Sequence, residues 1–124
     1  MIPAKLIKNL EKIGFDLDFP GYESTEDFIL EILGQDNSRL DTAIPLLIKE
    51  GFDYKKLKES LDSSKIKRLN KIIRIANKIL LQEKEDNSRL KNIIQENGIK
   101  ERFSSNEFSY FYSAYKETQK HLEN

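Results

Sequence analysis

Apolar residues recur at intervals of three and four along nearly the whole chain, which is the spacing of a helix with one buried face. The longest such stretch runs from about residue 65 to residue 84, and its apolar face comprises Ile66, Leu69, Ile72, Ile73, Ala76, Ile79 and Leu80. Shorter stretches predict further helices around Leu6–Ile13, Phe28–Leu33, Leu40–Ile48, Leu57–Leu61, Leu90–Ile94 and Phe108–Tyr115. No stretch alternates over the length of a strand. The pattern predicts an all-α fold, a compact bundle of about six or seven helices.

Two segments interrupt this spacing. Phe15, Leu17 and Phe19 alternate before a Pro-Gly turn, so an extended connector is predicted near residues 15–23. Pro45 falls inside the helix predicted around Leu40–Ile48, where it removes one backbone amide and crowds the preceding turn. We therefore expect either a kink at Pro45 or two short helices in its place.

Polar residues mark several helix boundaries. Ser104 and Glu107 have the spacing of a capping box before the last helix. The string DNSRL occurs twice, at Asp36–Leu40 and Asp86–Leu90, each time between two predicted helices. Since Asp, Asn and Ser accept hydrogen bonds from first-turn amides, the string is interpreted as a helix boundary used twice. A duplicated structural unit is the weaker interpretation because the flanking sequences differ.

The length of 124 residues is that of one domain, so residues 1–124 are interpreted as a single helical domain. The charges indicate how it would subdivide. Residues 1–62 form an acidic helical half, and residues 63–124 hold a basic long helix followed by a helix-turn-helix-like end.

The composition argues against an enzyme. The chain contains no cysteine, which excludes disulfides and thiolate metal sites, and the single histidine, His121, cannot alone complete a zinc site or a nucleophile–base pair. Neither glycine-rich phosphate-binding motif is present. Asp27 and Glu31 have the spacing of a helical metal-binding pair, but without a histidine partner such residues more often form a solvated face. No catalytic residue, cofactor, metal or small-molecule ligand is therefore predicted.

The hydropathy of the chain argues against a membrane protein. No stretch approaches the roughly 18 apolar residues that a membrane span needs, and the first residues contain no long apolar region. Together with the lack of cysteine, this favours a cytoplasmic protein that does not act at a membrane.

The 21 basic and 21 acidic residues balance, but they are unevenly distributed. An acidic region near the start carries Asp16, Asp18, Glu23, Glu26, Asp27 and Glu31. The predicted long helix carries a basic stripe at i, i+4, i+7 and i+11 spacing, formed by Lys67, Lys71, Arg74 and Lys78. Opposed patches suit salt-sensitive association between macromolecules. We therefore expect a non-enzymatic regulatory module that binds a protein partner or a second copy of itself, unless the stripe faces this chain's own acidic segment.

A helix-turn-helix-like regulator or antitoxin that binds DNA or RNA is the alternative. The three last predicted helices follow one another at suitable lengths, and the basic stripe could contact phosphates. The last helix would present Asn106, Ser109, Tyr110, Ser113, Lys116 and Lys120 to bases and phosphates. Tyr110 lies off the apolar face of that helix, so it is expected to be exposed. The neutral net charge and the long joint before the helix make this the second interpretation.

Overall fold

A computed structural model describes the protein over residues 24–49 and 51–122. In that part of the chain seven helices form and no strand does. The helices are α1 (Thr25–Gly34), α2 (Ser38–Asp41), α3 (Ile44–Ile48), α4 (Tyr54–Ser60), α5 (Ser63–Gln82), α6 (Ser88–Glu96) and α7 (Ser105–Leu122). The all-α prediction is confirmed. The helix predicted around Leu6–Ile13 and the extended connector near residues 15–23 lie outside the described residues.

Side-chain caps set the starts of most helices. Ser24, Asp53 and Asp62 each accept a hydrogen bond from the backbone amide three residues later, at the starts of α1, α4 and α5. The capping box before α7 is reciprocal, because the amide of Glu107 donates to Ser104 Oγ at 3.1 Å and the amide of Ser104 donates to Glu107 Oε1 at 3.1 Å. The sequence prediction of that box is confirmed.

The helix predicted around Leu40–Ile48 is divided into α2 and α3. Pro45 is the second residue of α3, where its missing amide costs no intrahelical hydrogen bond. The second of the two expected outcomes at Pro45, two short helices, is the one observed.

The two DNSRL strings are helix boundaries that use different side chains. In the first, Asn37 Oδ1 accepts from the amide of Arg39 at 3.0 Å. In the second, Asp86 Oδ1 accepts from the amide of Ser88 at 3.0 Å, while the Asn87 side chain donates to Asn77 Oδ1. The capping role therefore shifts by one residue between the copies. Both strings end in a buried leucine, Leu40 or Leu90.

A single hydrophobic core contains buried residues from all seven helices, and α5 is its central element. The apolar face predicted for α5 is buried, except that Ile66 in the first turn is only half-buried. The core also takes in Ile75, which that face omitted. Ile75 is buried because α5 is covered on more than one side, so a single-face pattern underestimates its buried surface. Within the described residues no buried side-chain nitrogen or oxygen lacks a hydrogen-bond partner.

Candidate functional site

An open cleft of about 380 Å³ lies where α2, α5 and the first half of α7 meet. Its volume is within the range of pockets that bind ligands in other proteins. It is lined by Asp36, Ser38, Asp41, Arg68, Lys71, Ile72, Ile75, Glu107, Tyr110 and Phe111. The lining thus combines an apolar floor with two groups of charged side chains.

The first charged group is centred on Arg68. Its Nε atom donates to Asp41 Oδ2 at 2.7 Å, and its Nη2 atom donates to the other oxygen of the same carboxylate. The Nη1 atom donates to Asp36 Oδ1 at 2.7 Å and to the carbonyl of Leu33 at the end of α1. Arg68 therefore joins α1, α2 and α5, and it places a cation at the carbonyl end of α1, where the helix dipole favours positive charge.

Asp41 and Asp36 differ in how far they are withdrawn from water. The Asp41 side chain is 8% exposed, and burial raises the pKa of its carboxyl above the ordinary value, an effect that the bonds from Arg68 oppose. The Asp36 side chain is 73% exposed. Asp36 adopts a positive φ of 49°, a conformation that Asp and Asn tolerate better than most residues. One cation is therefore shared by a buried carboxylate and an exposed one.

The second charged group is the ion pair of Lys71 on α5 with Glu107 on α7. Lys71 Nζ lies 2.7 Å from Glu107 Oε2. The bond from Lys71, followed by the bond from the amide of Ser104, lowers the pKa of Glu107 below its usual value. The pair fixes the start of α7 against α5 along one wall of the cleft.

The floor is formed by the apolar side chains of Ile72 and Ile75 on α5 and Phe111 on α7. Tyr110 stands at the rim and is 45% exposed, one of two large hydrophobic residues that are this exposed in the described part of the chain. Its exposure was predicted from its position off the apolar face of α7. Ile72, Ile75 and Phe111 are themselves buried, so Tyr110 is the exposed aromatic group of the cleft. An exposed aromatic side chain beside apolar side chains is typical of contact surfaces between proteins.

The basic stripe on α5 faces this chain's own C-terminal part over most of its length. Beyond the Lys71 ion pair, Arg74 Nη1 donates to the carbonyl of Glu101 at 2.9 Å. Lys78 Nζ lies 4.4 Å from the centroid of the Phe108 ring. Lys67 and Lys78 are both exposed, and within the described residues Lys67 has no comparable contact. Three of the four residues therefore stabilise the docking of α7 and of the joint before it.

The acidic region is only partly described, since Asp16, Asp18 and Glu23 lie outside the described residues. Glu26 Oε1 accepts from the amide of Asp53, and Asp27 lies 4.0 Å from Lys56 Nζ. These two carboxylates join α1 to the start of α4. Glu31 is exposed on α1 and accepts a long hydrogen bond from Gln35.

The positions predicted to face nucleic acid share one surface of α7. Every one of them is exposed: Asn106, Ser109, Tyr110, Ser113, Lys116 and Lys120. Tyr110 belongs both to this surface and to the rim of the cleft. Lys116 Nζ lies 4.9 Å from the centroid of the Tyr112 ring on the same helix.

Two side-chain interactions between distant parts of the sequence were not predicted. Arg68 lies off the spacing of the basic stripe, and its partner Asp41 is 27 residues away along the chain. Tyr115, fully buried, donates to Glu85 Oε2 at 2.6 Å, and Lys49 Nζ lies 3.6 Å from Glu85 Oε1. Asp41 directly follows the first DNSRL string, but neither its burial nor its pairing with Arg68 follows from a local sequence pattern.

The described residues include no group of three or more side chains placed to hold a metal ion. None of the helices in residues 24–49 and 51–122 is long and apolar enough to cross a membrane. The cleft combines paired charges with an apolar floor. Comparisons with protein-family models, with curated proteins and with solved structures find no match to this chain.

Proposed function

We propose that the protein is a non-enzymatic binding module that recognises another protein, or a second copy of itself, through the cleft between α2, α5 and α7. The observation that supports this most is the exposed ring of Tyr110 beside the floor of Ile72, Ile75 and Phe111. Aromatic anchors next to pockets carry much of the energy in protein interfaces. The proposed setting is the cytoplasm, since the chain has no cysteine.

The cleft, and not the acidic region or the basic stripe, is the contact surface in this proposal. Lys71, Arg74 and Lys78 already have partners within the chain, so binding through them would first break bonds that hold α7 in place. The cleft needs no such rearrangement. Rigid-body association with little backbone movement is the common case for preformed surfaces.

Photo-cross-linking in native cells tests the proposal. A benzophenone amino acid in place of Tyr110 is expected to give one or a few discrete protein adducts, including an adduct of twice the chain mass if the partner is a second copy. The matched control places the same group at Lys55, which is exposed on α4 away from the cleft. The Ser38→Trp substitution, which adds an indole at the cleft rim, should abolish the adducts. Adducts that persist unchanged in Ser38→Trp would overturn the cleft as the contact site.

Nucleic-acid binding by α7 is the second candidate function, and the shared exposure of its predicted contacts favours it. Fluorescence anisotropy with a labelled DNA duplex and a labelled RNA single strand tests it. Lys116→Glu with Lys120→Glu should weaken binding roughly tenfold or more and reduce its salt dependence, because phosphate contacts release counterions. Undetectable binding of both probes by the unaltered chain at low salt would reject this candidate.

A further inference from the structure

The charges that line the cleft do not cancel. Three carboxylates, those of Asp36, Asp41 and Glu107, face two cations, those of Arg68 and Lys71. The Lys71–Glu107 pair is balanced, so the unbalanced carboxylate belongs to the group around Arg68. That group is the one with a largely exposed member.

Asp36 is where this excess charge reaches solvent. Arg68 Nη1 bonds to its Oδ1 atom, while Asp41 takes both Nε and Nη2. With its side chain 73% exposed, Asp36 can accept a further hydrogen bond from outside the chain. A cation from a binding partner would meet the Asp36 carboxylate, which shares Arg68 with Asp41.

We propose that the cleft is selective for a protein segment that inserts an aromatic or aliphatic side chain over Ile72, Ile75 and Phe111 and places a lysine or arginine next to Asp36. This inference rests on the proposed function and specifies the chemistry of its partner. The exposed ring of Tyr110, beside the buried floor, contacts the first side chain, and the excess carboxylate accepts the second. Complementary charge at the edge of an apolar contact sets which partners are accepted.

The ion pairs that line the cleft explain why an acidic protein segment would bind less well. Every cation lining the cleft is already bonded to a carboxylate of the chain. A carboxylate on the partner would have to compete with Asp41 for Arg68 or with Glu107 for Lys71. A basic group meets no such competition at Asp36.

Two short peptides test this selectivity with defined probes: N-acetyl-phenylalanyl-arginine amide and N-acetyl-phenylalanyl-glutamate amide. Each is titrated into the full chain while NMR shifts of the Ile72 and Ile75 methyl groups and of Phe111 are followed. The arginine peptide is expected to bind about two- to fivefold more tightly, the range of a partly exposed ion pair. The difference should shrink as salt is raised.

Asp36→Asn is the variant that isolates the charge. Asparagine also tolerates the positive φ at this position, and its side-chain oxygen can still accept from Arg68. In Asp36→Asn the ratio of the affinities for the two peptides should fall close to one. The ratio should persist in the control Glu31→Gln, which removes an exposed charge of α1 outside the cleft.

The outcomes separate the two proposals. Equal binding of both peptides, with shifts at Ile72, Ile75 and Phe111, would overturn the charge selectivity and leave the cleft as a binding site. An arginine preference that survives in Asp36→Asn would overturn the role of Asp36. No shift at those residues with either peptide would overturn the cleft itself.

Discussion

Arg68 on α5 binds Asp41 on α2 through two nitrogen–oxygen pairs, and this contact connects residues 27 positions apart in the sequence. Asp41 is almost fully buried, and Arg68 is the main group that stabilises its charge, with a smaller contribution from Lys71. The same side chain reaches the end of α1 and Asp36. The pair therefore supports both the packing of α1 and α2 on α5 and the shape of the cleft wall.

Removal of Arg68 should cost much of the stability of the fold. Arg68→Met leaves the Asp41 carboxylate buried without a partner, and losses of about 3–5 kcal/mol are typical in such cases. Arg68→Lys keeps the charge but loses the planar fork, so we expect an intermediate loss. Asp36→Asn, at an exposed position, should cost no more than about 1 kcal/mol. Urea denaturation measures all three, and a loss below about 1 kcal/mol for Arg68→Met would contradict the assigned role.

The ionisation of Glu107 should make part of the stability depend on pH. Because its pKa is lowered in the folded chain, its contribution is present above its ordinary pKa of 4.5 and is lost as the pH falls through the lowered value. Glu107→Gln keeps the cap geometry without the charge. The gap in unfolding free energy between the two proteins should be at most about 1 kcal/mol at neutral pH and should close below pH 4.5. A gap that stays constant down to pH 3 would mean that the charge contributes nothing.

The two DNSRL strings should respond differently to the same substitution. Asn37→Ala removes the capping acceptor of α2 and should cost about 1 kcal/mol. In the second string the corresponding acceptor is Asp86, so Asp86→Ala should lower the denaturation midpoint. Ser38→Ala is the matched control, since Asn37 and not Ser38 supplies the cap of α2. Equal losses for the serine and capping variants would contradict the shifted roles.

Lys78 should stabilise α7 through the ring of Phe108. Lys78→Met keeps most of the aliphatic stem but removes the charge over the ring, so we expect a loss of about 0.5–1 kcal/mol. Lys67→Met on the same helix should be nearly neutral, since Lys67, which is exposed like Lys78, has no ring contact within the described residues. Denaturation measures the loss, and hydrogen exchange should locate faster opening in α7. Identical effects of the two substitutions would show that the ring contact has no energetic role.

The helices could be predicted from sequence, but the cleft could not. The spacing of apolar residues located α5 and α7, Ser104 and Glu107 marked the start of α7, and Pro45 marked the division between α2 and α3. These features depend on neighbours within one or two turns.

The partners of each side chain depend on which helices pack against each other. The spacing of residues along one helix does not predict that packing. The stripe was expected to face a partner, nucleic acid or this chain's own acidic segment. Lys71 and Arg74 instead bond to groups 36 and 27 residues away in the C-terminal part of this chain. Arg68 lies off the spacing of the stripe and was not predicted as a site residue. The exposure of Tyr110 could be predicted because it follows from the helical period of α7 alone.

Whether the cleft binds a protein is measured by purifying the tagged chain from its native cells. Bound protein and bound nucleic acid are quantified together. Ser38→Trp alters the cleft rim, and Ser113→Trp adds the same side chain to the exposed face of α7 outside it. If the cleft binds a protein, that protein is recovered in constant proportion with the unaltered chain and with Ser113→Trp, and is lost with Ser38→Trp. Unchanged recovery of the protein with Ser38→Trp would contradict binding at the cleft. Recovery that is lost both with Ser113→Trp and after nuclease treatment would also contradict it.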